Sequence, residues 1–124
     1  MDNFTDSLPA SAPEAPAPLP MQRVRHVVVF SFRPGTTEGK IRRVTDALRD
    51  LRNRIPGILS FEHGANNSPE GLNLGFTHAY TLTFESVEAR DLYVLPHPAH
   101  AEAVELAKCM GMVNAFVVDY VPEP

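Results

Sequence analysis

The stretch Arg23-Val24-Arg25-His26-Val27-Val28-Val29-Phe30-Ser31-Phe32-Arg33 decides the fold. It holds valines and phenylalanines with no glycine or proline, the composition of a β-strand. Its even positions are Val24, His26, Val28, Phe30 and Phe32; its odd positions are Arg25, Val27, Val29, Ser31 and Arg33. Both sets are apolar at their centre. A strand with one wet face alternates more cleanly, so this one is expected to be covered on two sides.

Pro34-Gly35 ends the strand, and Thr36 or Thr37 can cap a helix. Ile41, Val44, Leu48, Leu51 and Ile55 then recur at helical spacing, one apolar stripe closed by Pro56-Gly57. Arg42, Arg43, Arg49 and Arg52 lie off the stripe among Asp46 and Asp50, which reads as a solvated face. Ile58–Gly64 reads as a second strand and 65–75, rich in Asn, Ser, Pro and Gly, as a loop. Phe76–Phe84 alternates well and reads as a third strand, with Phe76, His78, Tyr80, Leu82 and Phe84 on one face.

Ser86 caps a helix expected over Val87–Leu95, and Pro98 suits the start of another running to Met110, stopped by Gly111. Met112–Tyr120 reads as the last strand. The order strand, helix, strand, strand, helix, strand is that of a ferredoxin-like α+β fold: βαββαβ, an antiparallel four-stranded sheet with helices on one face. The face without helices is expected to carry Val27, Val29, Ala79, Val113, Ala115 and Val117. An apolar patch of that size marks an interface, and a homodimer packed through it is expected.

Composition narrows the partners. The chain has 124 residues, with 11 basic and 15 acidic ones for a net charge of −4. That balance argues against nucleic acid or an anionic membrane. Residues 1–21, rich in proline and alanine, read as an extended tail, which leaves one domain over 22–121. No apolar run approaches the ~20 residues of a membrane span. The acidic N-terminus lacks the pattern of a secretory signal, and a cytoplasmic protein is expected. The one cysteine, Cys109, is expected in the core.

Histidines carry what chemistry the chain advertises. His97 and His100 flank Pro98, seven residues or fewer after Tyr93, while His26 and His78 fall inside strands. His63 reads as a surface histidine beside a loop. A neutral histidine can take a proton next to a carbonyl, and a tyrosine hydroxyl can stabilise the enolate oxygen. His100 and Tyr93 fit those catalytic roles. His26, His78, Phe30, Tyr80, His97 and Asp119 are the candidate ligand-binding residues, and His26, His78 and His100 are expected to meet in one apolar cavity between the sheet and the last helix. The alternative for His97 is a helix cap, and for His26 and His78 simple packing. No metal is expected, because His97 and His100 diverge around Pro98. No cofactor is expected either, since neither Gly-x-Gly-x-x-Gly nor Gly-Lys-Ser/Thr occurs.

The stretches RHVVVFSFRPGT (25–36), IPGILSFEHGANNSPEGLNLGFTHAYTLTFES (55–86), HPAH (97–100) and VVDY (117–120) together resemble the stress-responsive A/B barrel, or Dabb, domain of the dimeric α/β-barrel group. The resemblance implies a dimeric ferredoxin-like fold. One member of that family is a polyketide cyclase acting by aldol condensation. Similarity to it implies pocket roles for His26, His78 and Asp119 and catalytic roles for His100 and Tyr93. The pattern departs at one point: that member has one fewer residue between its tyrosine and HPAH, and an added residue turns a helix by about 100°. Three functions stay open: a homodimer binding a small molecule, a cofactor-free cyclase-like enzyme, and a non-catalytic stress-response protein.

Overall fold

A computed structural model describes residues 22–95 and 97–124. The tail expected over 1–21 lies outside them. The elements run β1 (Val24–Phe32), α1 (Glu38–Arg54), β2 (Ile58–Ala65), β3 (His78–Phe84), α2 (Val87–Val94), α3 (Pro98–Met110) and β4 (Met112–Tyr120). The four strands form one sheet in the order β2-β3-β1-β4, antiparallel at every pairing. This is the ferredoxin-like fold.

Parity in β1 builds the core. Val24, His26, Val28 and Phe30 are buried, while Arg25, Val27 and Val29 are half-buried. Residues directly opposite in an antiparallel ladder share a face. Phe84, Leu82, Tyr80 and His78 oppose Val24, His26, Val28 and Phe30 in turn, so they join the helix side. There Val44, Leu48 and Leu51 of α1 and Ala99, Ala103 and Ala107 of α3 close the core. Thr37 caps α1 by accepting from Lys40 N–H, and Ser86 caps α2 by accepting from Ala89 N–H. Gly57 turns the chain from α1 into β2 at φ +92°, and a Cβ there would stand 2.6 Å from the Ala89 Cβ of α2. No helix among the described residues is long and apolar enough to cross a membrane.

Three expectations are corrected. The third strand begins at His78, because Phe76 closes a turn by donating its N–H to the Asn73 carbonyl. Ala115 and Val117 oppose Phe30 and Val28, so they lie on the helix side, and Phe116 and Val118, opposing Val29 and Val27, take their place on the helix-free face. The cause is a register shift at Ser31/Phe32: Ser31 pairs with Asn114 and Phe32 with Met112, which leaves Val113 as the added residue of a bulge. Cys109 is exposed, since the buried side of α3 runs through Ala99, Ala103 and Ala107 and position 109 falls off that stripe.

Candidate functional site

The helix side of the sheet carries two separate histidine clusters. His26 and His78 do share a face, as their parity demands. Yet His26 opposes Leu82 and His78 opposes Phe30. Four residues of strand separate them, about 13 Å at ~3.3 Å per residue. The three expected histidines therefore do not converge: His26 and His100 stand at one end of the sheet, His78 at the other.

At the first end, β1, β4, α2 and α3 meet. The Nδ1 of His26 lies 2.7 Å from Asp119 Oδ1 across the β1–β4 ladder. Asp119 Oδ2 accepts from Arg90 Nη1 of α2 at 2.8 Å. A carboxylate can only accept, so Nδ1 carries the proton and Nε2 of a neutral His26 ring presents a lone pair. Tyr93 projects from α2 into the same space and is buried. Its ring packs edge-on to His26 at 5.4 Å and stacks on His100 at 4.1 Å with an interplanar angle of 28°. Burial first, then the neighbouring Asp119 charge, pushes the Tyr93 hydroxyl far up. Burial, then His26, lowers the pKa of His100, against a hydrogen bond to the Tyr93 backbone. Tyr93 thus stays a proton donor and His100 a neutral base. α2 ends at Val94, and Tyr93 in its last turn is buried beside His100. His97 caps α3, its Nδ1 accepting from Ala99 N–H at 3.1 Å.

The second end lies between α1 and the strands β2 and β3. Here a cavity of about 420 Å³ is lined by Glu38, Ile41, Arg42, Thr45, Asp46, Arg49, His63, Gly64, Ala65 and His78. His63 Nε2 accepts from Arg49 Nη2 at 3.0 Å; arginine only donates, so this nitrogen is unprotonated. The His63 ring lies nearly parallel to those of Phe61 and Tyr80, at 5.6 and 6.1 Å. Tyr80 bonds Thr45 through its hydroxyl at 2.9 Å, and burial raises its pKa. Burial also lowers the pKa of His78, with the Glu38 charge acting the other way. Phe30 is buried against Tyr80, ring to ring at 5.4 Å.

This cavity is lined by the charged side chains of Glu38, Arg42, Asp46 and Arg49 and lies against α1, whereas the apolar pocket is expected against the last helix. The apolar hollow lies on the opposite, helix-free face: about 400 Å³ lined by Val29, Phe76, Ala79, Phe116 and the β2–β3 loop. Sequence reading also missed Arg90, Arg49 and Thr45. Arg90 reaches Asp119 across 29 positions and Thr45 reaches Tyr80 across 35, separations that no local spacing reports. Among the described residues, no group of three or more His, Cys, Asp or Glu could hold a metal ion.

Residues 24–122 match the Stress responsive A/B Barrel Domain family. The stress-response A/B barrel domain-containing protein HS1 of Arabidopsis thaliana is 36% identical over 100 residues, 80% of this chain and 89% of that protein. Olivetolic acid cyclase of Cannabis sativa is 28% identical over 99 residues, 80% of this chain and 96% of that enzyme. A crystal structure of a protein from Jannaschia sp., described as dimeric and ferredoxin-like, superposes with a TM-score of 0.67 at 24% identity, covering 79% of this chain and 97% of that one.

Proposed function

The chain belongs to the stress-responsive A/B barrel domain family, and from that membership and its geometry we propose that it acts as a homodimer that binds a small molecule between α1 and strands β2 and β3. One observation carries this reading. The cavity of about 420 Å³ there falls in the range of small-molecule sites, roughly 300–1,000 Å³. Arg49 occupies the lone pair of His63 Nε2, which leaves the other ring nitrogen of His63 as a donor, and burial lowers the pKa of His78. Glu38, Arg42, Asp46 and Arg49 line the α1 wall of it with charges of both signs. Such walls suit a ligand with hydroxyl donors and one acidic group. Olivetolic acid, named by the cyclase relative, is the probe. Titrated into the protein at pH 7, it should shift the ring resonances of His63 and His78, and His78→Ala should weaken binding about tenfold. Silent His63 and His78 resonances across the titration overturn this site.

One observation favours a second reading, cofactor-free proton abstraction beside a carbonyl. The chain of bonds from Arg90 through Asp119 to His26 fixes a tautomer next to the Tyr93–His100 pair. His100 would take the proton and Tyr93 would donate to the enolate oxygen. Deuterium exchange into an acetoacetyl thioester should then run faster than in buffer and stop in His100→Ala. Exchange at the buffer rate with the wild-type protein rejects it.

A further inference from the structure

The loop from β2 to β3 ends in a turn with a leucine at its tip. Phe76 N–H donates to the Asn73 carbonyl at 2.8 Å, and Asn73 Nδ2 donates to the Phe76 carbonyl at 2.7 Å. The two residues between them have positive φ, 52° at Leu74 and 84° at Gly75. A type I′ turn needs that pair of signs. Glycine adopts it freely, whereas a leucine is strained there. Leu74 is the one non-glycine residue with positive φ among those described. Its side chain is nevertheless 87% exposed, and Leu72 beside it is 73% exposed. Within one protomer the turn's two hydrogen bonds hold this conformation, while the apolar surface of both leucines stays uncovered.

Both leucines stand on the rim of the hollow of about 400 Å³ on the helix-free face, floored by Val29, Ala79 and Phe116. The lining includes no ionisable residue except His78, so it offers nothing that would select a charged partner. Protrusion and hollow sit on the same face. A twofold axis pairs a patch with itself, so a patch that carries both knob and hole is complementary to its own copy.

We propose that Leu74, supported by Leu72, enters the hollow on the helix-free face of a second copy of this chain, each protomer's turn tip filling the other's hollow. This rests on the homodimer reading and assigns the contact that closes it. The strained turn then serves to present a side chain outward, and the hollow becomes interior only in the pair.

Sedimentation of the full chain over a dilution series tests it. Leu74→Gly keeps the turn and removes its strain, so each protomer should be no less stable. A leucine lost from both copies should nonetheless weaken the dimer at least about a hundredfold. Leu74→Met should keep the dimer within about tenfold. Leu92→Asp, on α2, should leave it unchanged. A wild-type dimer that Leu74→Gly fails to weaken overturns the contact while leaving the homodimer standing. A wild-type protein that is monomeric at every concentration overturns both.

Discussion

Replacing Asp119 with alanine isolates the bonds that tie α2 to the central strand β1 and the edge strand β4. The carboxylate accepts from His26 at 2.7 Å and from Arg90 at 2.8 Å. The side chains of His26, Asp119 and Arg90 are 6%, 18% and 22% exposed, so water replaces little of what is lost. A buried donor left without its acceptor costs about 1–3 kcal/mol, and His26 Nδ1–H becomes one. Arg90 keeps Asp91 at 2.9 Å, a partner that is half exposed, and its added loss is at most about 1 kcal/mol. The sum, about 1–4 kcal/mol, corresponds in a domain of this size to a fall in Tm of roughly 5–30 °C. Urea unfolding at pH 7.5 reads the change directly. It should be run at two protein concentrations, because assembly shifts the midpoint. Asp119→Asn keeps an oxygen for His26 and should recover about half the loss. Asp46→Ala, which breaks the exposed pair with Arg49, should cost under about 0.5 kcal/mol. If Asp119→Ala is no worse than Asp46→Ala, the bonds through Asp119 do not hold this end of the fold.

Three further outcomes follow from groups already described. The pKa values of His78 and His100 lie below the ordinary 6.5 in the folded protein, so the unfolded chain binds more protons. Stability should therefore be complete above pH 6.5 and fall as the pH drops from there through the folded values, and His100→Gln should flatten part of that fall in urea titrations at pH 7.5, 6.5 and 5.5. The same rule with the sign reversed predicts a loss above pH 10, where the unfolded chain ionises its tyrosines while Tyr80 and Tyr93 stay protonated. Gly57→Ala meets both positive φ and a Cβ contact of 2.6 Å with Ala89, and should cost about 2 kcal/mol or more in thermal unfolding; an unchanged Tm would mean that α2 can shift aside freely.

The parts of the fold set by local rules were legible. Thr37 and Ser86 cap as their side chains allow, and the stripe through Val44, Leu48 and Leu51 is buried. The parity of β1 and β3 is also the observed one. The last strand resisted because Met112–Tyr120 is apolar nearly throughout and offers no alternation to read. Its facing is set by pairing with β1, and the bulge at Val113 moves it by one residue, which exchanges Ala115 and Val117 for Phe116 and Val118. The site was legible as residue types but not as places. Parity put His26 and His78 on one face, yet the distance along the strand between them depends on register. Arg90 carried no signal, because its partner Asp119 lies on the far side of α3 in the sequence. His97 behaves as the capping alternative expects.

The strand order β2-β3-β1-β4 has a mechanical consequence. Arg25 pairs with Tyr120, so the domain's first and last strands are neighbours, with its two ends side by side. A tensile load applied between those ends acts on the β1–β4 ladder from its open end, one hydrogen bond after another, rather than on all of them at once. The fold should thus unzip at low force when pulled by its termini, and resist far more when pulled between residues that load the ladder in shear.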